Sequence, residues 1–530
     1  MATAETRQHG SRPTGPLPAI EVYSTLTRTK APLTTVSPGH VGMYLCGPTV
    51  YKPSHIGHMV GPVIFDTVKR HLAYSGYGVT WVVNVTDVDD KIIAESTARG
   101  TTMAKLATEM TADYLENLAA LGVTGIDEMP KATEHIGTII AFIEGLVAKE
   151  FAYESDGDVY FDVTRDADYG KLTNRSVEQT QGEGGSTADR KRSAADFALW
   201  KKAKSGEPSW ESPWGPGRPG WHIECSAMSK AILGETFDIH GGGLDLVFPH
   251  HENEIAQSES LHGRPMATYW MHNGLMQAGG AAGKVGGRPR DGGGAADDAA
   301  AQAATKISKS TGAEPFKNLL ARHRPEAIRL LLLSTHYRSP IHFGEEPLQE
   351  SAKAMEAFER LFARFERITG TSFFRLPSHD RRAGDAAAAA AGEEIAGLRV
   401  KFLAAMDDDF NTAIAVATLF DFVRSVNKFI DQHGLEANKP AAELAALEAK
   451  LLVLRELTGV LGLFLEPPKA AAGGADEGLV AKLMELVIEI RANARKAKDF
   501  ATADLVRNRL GEAGVVLEDR PDGTGWSRKG

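Results

Sequence analysis

The stretch YLCGPTVYKPSHIGHM (44–59) decides the fold that the sequence predicts. It joins an apolar run, VGMYLC (41–46), to a loop with glycine and prolines, and a segment of helical character follows from about Gly57 to Tyr74. A second apolar run rich in β-branched residues, VTWVVNVTD (79–87), comes next. Strand, loop, helix and strand at this spacing predict one βαβ unit of a parallel sheet.

The same succession recurs later in the chain. TFDIHGGGLDLVFPHHENEIAQS (236–258) predicts a strand, a glycine turn and a helix, and ATYWMHNGLM (267–276) predicts another strand. From about Pro325 the sequence predicts mostly helices. The expected fold class is therefore α/β, with a Rossmann-like parallel-sheet domain, a helical bundle and a small C-terminal domain.

Composition divides the chain into segments. Two Ala-rich stretches, 384–394 and 467–478, are predicted to be linkers. The other predicted segments are a disordered tail (1–19), the parallel-sheet domain (20–345), a helical region (346–466) and a small C-terminal domain (478–530). Within the parallel-sheet domain we expect a connective insertion at about 140–215 and an Ala/Gly-rich mobile loop at 277–304.

Charge and cysteine content exclude several classes of protein. A net charge of −10 argues against a protein that binds nucleic acid over its whole surface. Two cysteines are too few for a disulfide scaffold and suit a reducing compartment. The N-terminus lacks the apolar core of a signal peptide, and no run reaches the ~18 apolar residues of a membrane span. We therefore expect a soluble cytoplasmic protein.

Two short motifs suggest a nucleotide site. In HIGH, His55 and His58 flank Gly57 at the start of the predicted helix, where backbone N–H groups and imidazoles suit a phosphate. In KISKS (306–310), Lys306 and Lys309 can reach a pyrophosphate. Each motif is weak alone, because a capped helix with two polar residues and a surface lysine pair are both common.

The two cysteines suggest a metal site. Cys46 and Cys225 each end an element that returns to the same predicted sheet. His250 and Glu254 are four residues apart, so they lie on one side of a helix. Two sulfurs, a nitrogen and an oxygen form a possible zinc set. Two inert buried cysteines beside a helix-surface His–Glu pair remain an equal alternative from spacing alone.

HIGH followed some 250 residues later by KISKS is a far more specific pattern than either motif. The pair resembles the signature of class I aminoacyl-tRNA synthetases, with Ile307 in place of the usual Met. From about Val22 to the end, the ordered blocks resemble the bacterial cysteinyl-tRNA synthetase family. Those blocks are MYLCGPTVY with HIGHM, NVTDVDDKII, GWHIECSAMS, DIHGGGLDLVFPHHENEIAQSES, MHNG, KISKS and THYRSP.

The resemblance implies a set of site residues and cofactors. Its zinc ligands fall on Cys46, Cys225, His250 and Glu254, and its ATP motifs on His55, His58, Lys306 and Lys309. Its cysteine pocket falls on Thr86, Trp221, His240 and Asp245. It also implies one Zn²⁺ per subunit, Mg²⁺ with ATP, and ligation of L-cysteine to the 3′-terminal adenosine of tRNA(Cys) through cysteinyl-AMP.

The resemblance also assigns the C-terminal half to tRNA binding. It makes 346–466 a helical tRNA-binding region and 478–530 an anticodon-binding domain. Candidate contacts are Arg491, Arg495, Lys498, Arg509 and Trp526. Arginine and lysine suit phosphates, and a tryptophan can stack on an unpaired base, although a packing role for Trp526 is equally open. The expected assembly is a monomer.

Two other functions share parts of this pattern. A ligase that joins cysteine to an amino sugar has the same motifs but ends soon after the catalytic part, whereas this chain runs on for about 125 residues from the start of DDDFNTA (407–413). A non-catalytic paralogue is disfavoured by intact HIGH, both KISKS lysines and all four metal-ligand candidates. The Ala/Gly-rich insertion at 280–303 departs from the family, and we expect it to loop out passively.

Overall fold

The computed structural model describes residues 17–174, 190–278, 314–468, 477–520 and 523–528. Several sequence predictions fall elsewhere. Lys306 and Lys309 of KISKS, residues 279–304 of the predicted loop, residues 1–16 of the predicted tail and most of the second predicted linker lie outside the described residues.

Strands and helices alternate up to about residue 345, after which helices prevail. The described strands are β1 (Glu21–Ser24), β2 (Thr29–Pro32), β3 (His40–Leu45), β4 (Gly78–Val83), β5 (Ala152–Ser155), β6 (Asp158–Phe161), β7 (Phe197–Lys202), β8 (Gly217–Pro219), β9 (Phe237–Gly243), β10 (Ala267–Asn273), β11 (Met276–Ala278), β12 (Ile341–Phe343), β13 (Val515–Arg520) and β14 (Gly523–Arg528). The described α-helices are α1 (Gly57–Tyr74), α2 (Asp90–Ala98), α3 (Met103–Ala120), α4 (Ile136–Ala148), α5 (Trp221–Leu233), α6 (Glu252–His262), α7 (Phe316–Leu320), α8 (Pro325–Leu333), α9 (Glu345–Thr369), α10 (Arg381–Ala391), α11 (Glu393–Asp407), α12 (Thr412–His433), α13 (Ala441–Val460), α14 (Glu477–Lys496) and α15 (Phe500–Glu512).

A four-stranded parallel sheet in the order β10-β9-β3-β4 positions the candidate site. Helix α1 connects β3 to β4, so the predicted βαβ unit is confirmed. Apolar side chains of β3 and α1, among them Met43 and Phe65, share one buried core. Because all four strands are parallel, their carboxyl ends meet at one edge of the sheet, where α/β folds place their ligands.

The connective insertion has a sheet of its own. Strands β5, β6, β7 and β8 pair antiparallel in that order. They share a second apolar core with α4, which includes Phe142, Phe161 and Trp200. This core reaches Ile223 on α5, so the insertion packs against the helix that carries Cys225.

The prediction of a linker at 384–394 is wrong. Helix α10 occupies most of that stretch and packs along α13, with Ala388 and Ala391 buried. Alanine is the strongest helix former, and its small side chain lets two helices approach closely. An alanine run is therefore compatible with either state, and composition alone does not distinguish them. Gly392, at a φ of +95°, separates α10 from α11.

Three polar links, which we call the α1 anchor, fasten the second half of α1 to the helices that follow. Arg329 of α8 is almost fully buried and donates to Asp66 Oδ2 at 2.5 Å. Its other nitrogens donate to two backbone carbonyls, at Leu121 and Leu461. The anchor consists of Asp66 with Arg329, His71 with Asp407 and Arg381, and Tyr74 with Glu456 and Arg399.

The last two links of the anchor include three buried side chains, those of His71, Arg399 and Glu456. His71 Nε2 lies 2.9 Å from Asp407 Oδ1, and Arg381 donates to both oxygens of that carboxylate. Tyr74 donates to Glu456, which Arg399 also binds. Helix α1 therefore has its first turn at the edge of the sheet and its last turns held by the helical region.

The C-terminal part consists of α14, α15 and a hairpin of β13 and β14. Leu517 and Trp526 face each other across the hairpin. Within the described residues, no helix has the length and apolar character needed to cross a bilayer.

Candidate active site and metal centre

A cleft of about 520 Å³ opens at the carboxyl edge of the parallel sheet. Its wall includes the loop after β3, the first turn of α1, the start of α5 and the glycines that end β9. Five of the predicted site residues line this cleft, namely Cys46, His55, His58, Trp221 and Asp245. Nucleotide-motif and cysteine-pocket candidates therefore share one cavity, which spacing alone could not establish.

The HIGH turn forms the start of α1. The imidazoles of His55 and His58 have ring centres 3.9 Å apart. The Gly57 N–H donates to His55 Nδ1 at 3.1 Å, and the His55 N–H lies 3.3 Å from His58 Nδ1. The N–H groups of Gly57, His58 and Met59 all have acceptors within this turn, so the two imidazoles and the positive end of the helix dipole are what suit an anion here.

Four side chains from separate elements form what we call the thiol cluster: Cys46, Cys225, His250 and Glu254. Their ligand atoms all lie within 4.8 Å of one another. The two sulfurs are 3.8 Å apart, and Cys225 Sγ is 3.6 Å from His250 Nε2. Glu254 Oε1 lies 2.9 Å from His250 Nε2 and 3.4 Å from Cys46 Sγ. This spacing of donor atoms can hold one metal ion.

Protonation in the thiol cluster departs far from its ordinary state. Burial alone would raise the pKa of the Cys225 thiol, but hydrogen bonds with Cys46 and His250 lower it to about 6. Burial also opposes the charge on Glu254, yet His240 and His250 hold the pKa of this carboxyl well below its usual range. The same carboxylate outweighs burial at His250 and raises its pKa to about 10. The cluster thus concentrates negative charge around one imidazole.

A second group of donors overlaps the thiol cluster. His240 and His251 join Cys46 and Glu254, with all four ligand atoms within 4.8 Å. His251 Nε2 lies 3.3 Å from Cys46 Sγ, and its other nitrogen lies 2.7 Å from His272 Nε2. His251 was not among the predicted site residues, although its position beside His250 in FPHHEN (248–253) was a signal.

The candidate pocket residues surround the thiol cluster. The Trp221 ring stacks on the His250 ring with centres 4.1 Å apart. His240 Nε2 lies 3.0 Å from Glu254 Oε2. Thr86 is buried and reaches the cluster indirectly, by donating to Glu224 beside Cys225. Asp245 is exposed on the cleft wall just past the glycines of β9.

The candidate tRNA contacts differ from one another in exposure. Arg491 is buried, and its guanidinium donates to both oxygens of Asp519 at 2.7 and 2.8 Å. Arg495 is exposed and binds the same carboxylate at 3.0 Å. Lys498 and Arg509 are exposed, and Trp526 is half-buried.

Proteins similar to this chain match it over almost its full length. The cysteine–tRNA ligase of Pelotomaculum thermopropionicum is 42% identical over 523 residues, which is 96% of this chain and 100% of the relative. That of Geobacter sulfurreducens is 43% identical over 516 residues, with the same shares. The chain belongs to the cysteine–tRNA ligase family. This membership confirms the resemblance inferred from the ordered sequence blocks.

Three domain families match successive parts of the chain. The family described as tRNA synthetases class I (C) catalytic domain matches residues 32–282. The DALR domain matches 401–466, and the cysteinyl-tRNA ligase anticodon binding domain matches 484–526. The catalytic-domain match covers the parallel sheet and the complete thiol cluster.

Solved structures confirm the predicted fold class for this member of the cysteine–tRNA ligase family. Methionyl-tRNA synthetase of Mycobacterium tuberculosis in complex with methionyl-adenylate has a TM-score of 0.56 at 14% identity, covering 80% of this chain and 90% of that one. A leucyl-tRNA synthetase of Agrobacterium radiobacter gives 0.52 at 11% identity, covering 81% and 85%. At such low identities the likeness concerns the fold alone.

Proposed function

We propose that this protein activates L-cysteine with ATP and transfers it to the 3′-terminal adenosine of tRNA(Cys), and that a zinc ion selects the cysteine thiol. One observation carries the proposal. Cys46 of the thiol cluster lines the same cleft as the HIGH turn, so a thiol-recognition site would lie beside a phosphate site. We place the reaction in the cytoplasm, where the two unpaired cysteines would remain reduced.

The residues of the thiol cluster fit zinc. Two sulfurs, an imidazole nitrogen and a carboxylate oxygen are all common zinc ligands, whereas magnesium and calcium prefer oxygen. The lowered pKa of the Cys225 thiol also favours the thiolate that a metal requires. When bound, zinc supplies affinity for a thiolate over an alcohol, which an apolar pocket cannot do for side chains differing by one atom.

The chain's own residues would then orient the amino acid. Trp221, stacked on His250, would wall the thiol end of the pocket, and the Asp245 carboxylate would pair with the ammonium group. The substrate carboxylate is thereby left facing the HIGH turn. Its oxygen attacks the α-phosphorus of ATP, a P–O bond to the leaving group breaks, and cysteinyl-AMP and pyrophosphate form.

The nucleotide would be held by the HIGH turn and by the KISKS lysines. His55 and His58 would donate to the charge that develops on the α-phosphate, and the positive end of the α1 dipole would favour that charge. We assign Lys306 and Lys309 to the pyrophosphate, and Mg²⁺ to ATP. The 3′-terminal adenosine of the tRNA then attacks the adenylate carbonyl through a hydroxyl and releases AMP.

We assign tRNA binding to the helical region and the C-terminal domain. Lys498 and Arg509 are exposed, so they can meet a phosphate backbone. Arg491 would act indirectly, because its ion pair with Asp519 joins α14 to the hairpin that carries Trp526. We also propose that each chain binds one zinc ion and that the protein is a monomer.

Cysteine-dependent exchange between ATP and pyrophosphate tests the activation step. We expect exchange with cysteine, none above background with serine, and loss of exchange after chelation that zinc restores. Exchange that is indifferent to the choice between cysteine and serine would refute the thiol-selection role.

The acceptor is tested by adding tRNA(Cys) and an amino sugar to parallel reactions. We expect cysteine to appear on the tRNA alone. Transfer to the amino sugar would favour the second ligase function, and absence of exchange with every amino acid would exclude both.

A further inference from the structure

The backbone just before HIGH is fixed from two sides. Ser54 is buried and directly precedes His55. Its N–H donates to Asp113 Oδ2 of α3 at 2.9 Å, and its carbonyl accepts from the Phe316 N–H at 2.7 Å. Both backbone groups of Ser54 therefore have partners, and these hydrogen bonds fix the chain directly before His55.

The Asp113 carboxylate is itself held in place. Asn117, one turn further along α3 and also buried, donates to Asp113 Oδ2 at 3.1 Å. The other oxygen lies 3.5 Å from Lys317 Nζ, at the start of α7. Lys317 follows Lys309 of KISKS by eight residues. One carboxylate thus contacts the chain before the first nucleotide motif and the chain after the second.

We propose that Asp113 is a positioning residue for cysteine activation, which holds the HIGH turn at the distance from the adenylate site that the reaction needs. The inference rests on the proposed function. The residue touches neither substrate nor metal; it acts through the Ser54 N–H. Displacements of about 1 Å at reacting groups cost about a hundredfold in rate, so the loss of one backbone hydrogen bond here has a catalytic consequence.

The test compares Asp113→Ala with Glu116→Ala. Glu116 is on the same helix and pairs with the same Lys317, at 2.7 Å, so its substitution removes an equivalent charge. In the full-length protein with its metal, we expect Asp113→Ala to lower kcat for cysteine-dependent exchange by about tenfold to a hundredfold, with KM for cysteine nearly unchanged. We expect Glu116→Ala to retain wild-type kcat.

A conservative variant separates positioning from stability. Asp113→Asn keeps an oxygen for the Ser54 N–H, so it should restore kcat to within about threefold of wild type. Thermal melting recorded in parallel reports stability. A folded Asp113→Ala protein with wild-type kcat overturns the inference even if it melts earlier, and so does an Asp113→Asn protein as slow as Asp113→Ala.

A replacement variant and the wild-type activity decide the remaining cases. Where Asp113→Ala does not fold, Asp113→Glu replaces it, because this variant keeps the charge but moves the oxygens by one methylene. Full kcat in a folded Asp113→Glu protein overturns the inference. If the wild type catalyses exchange and the Asp113 variants have wild-type kcat, the positioning role alone is overturned. If the wild type catalyses no exchange, the proposed function is overturned and this inference with it.

Discussion

The thiol cluster and the α1 anchor are both buried, polar and built from segments distant in sequence. They differ in how their charges are balanced. In the anchor, each acidic group has an arginine, as in Asp66 with Arg329 and Glu456 with Arg399. The four residues of the thiol cluster instead bring two thiols and a carboxylate together with one imidazole.

This difference distinguishes a structural cluster from a site for a ligand. A buried charge must be paired, and the anchor satisfies that requirement with the chain's own side chains. The thiol cluster has an excess of groups that become negative, and a divalent cation satisfies them better than protons do. We therefore expect substitutions in the cluster to affect metal and activity, and substitutions in the anchor to affect stability.

The largest effect is expected for Cys225→Ala. Removal of one sulfur should abolish stoichiometric metal binding and lower the rate of cysteine-dependent exchange about a thousandfold, which corresponds to ~4 kcal/mol. Elemental analysis and exchange kinetics measure both quantities. Ser229→Ala, one turn along α5, is the control and should keep the metal. A Cys225→Ala protein that still holds one zinc ion would contradict the ligand assignment.

The next effect is expected for Arg329→Met. It leaves the buried Asp66 carboxylate without its main partner, so the free energy of unfolding should fall by about 3–5 kcal/mol. Urea denaturation measures the loss, and metal content should not change. Arg70→Met removes the more exposed partner of the same carboxylate and should cost less than half as much. Equal losses from the two variants would show that burial does not set the strength of the anchor.

A smaller loss is expected for Gly384→Ala. A Cβ at this position of α10 would lie 2.1 Å from Glu456 Oε1 and 2.5 Å from Arg399 Nη2, both in the anchor. We expect a loss of about 1–3 kcal/mol in urea denaturation, although alanine favours a helix more than glycine does. Gly397→Ala on α11 meets nothing within 4 Å and should be neutral or stabilising. Stabilisation by both substitutions would place α10 away from the anchor in solution.

The smallest effect concerns the pH dependence of the anchor. Burial lowers the pKa of His71, although Asp407 opposes this shift and Arg381 adds to it. Below about pH 6.5 the unfolded chain therefore binds a proton that the folded protein does not. The free energy of unfolding consequently decreases as the pH is lowered, by at most ~1.4 kcal/mol per pH unit. His71→Gln lacks this contribution. Urea denaturation at pH 7 and pH 5.5 should show wild type losing more stability than the variant, and parallel losses would contradict the assignment.

Particular elements show how far the sequence could predict the structure. The bounds of α1, Gly57–Tyr74, were predicted as observed, because its apolar periodicity, the loop before it and the strand after it agree. The stretch at 384–394 was predicted wrongly, because an alanine run has too little local signal to distinguish a linker from a packed helix. His251 and Asp113 were not singled out, since only their neighbours in space make them noteworthy.

The sequence by itself determined the family, the α/β class and the order of the motifs, because these depend on local patterns and on blocks long enough to be specific. It also named Cys46, Cys225, His250 and Glu254 as a possible metal set. Only the tertiary structure decided that their ligand atoms lie within 4.8 Å of one another. The physical reason is that elements far apart along the chain meet only at the shared edge of a folded sheet. Spacing along the chain says little about such a meeting.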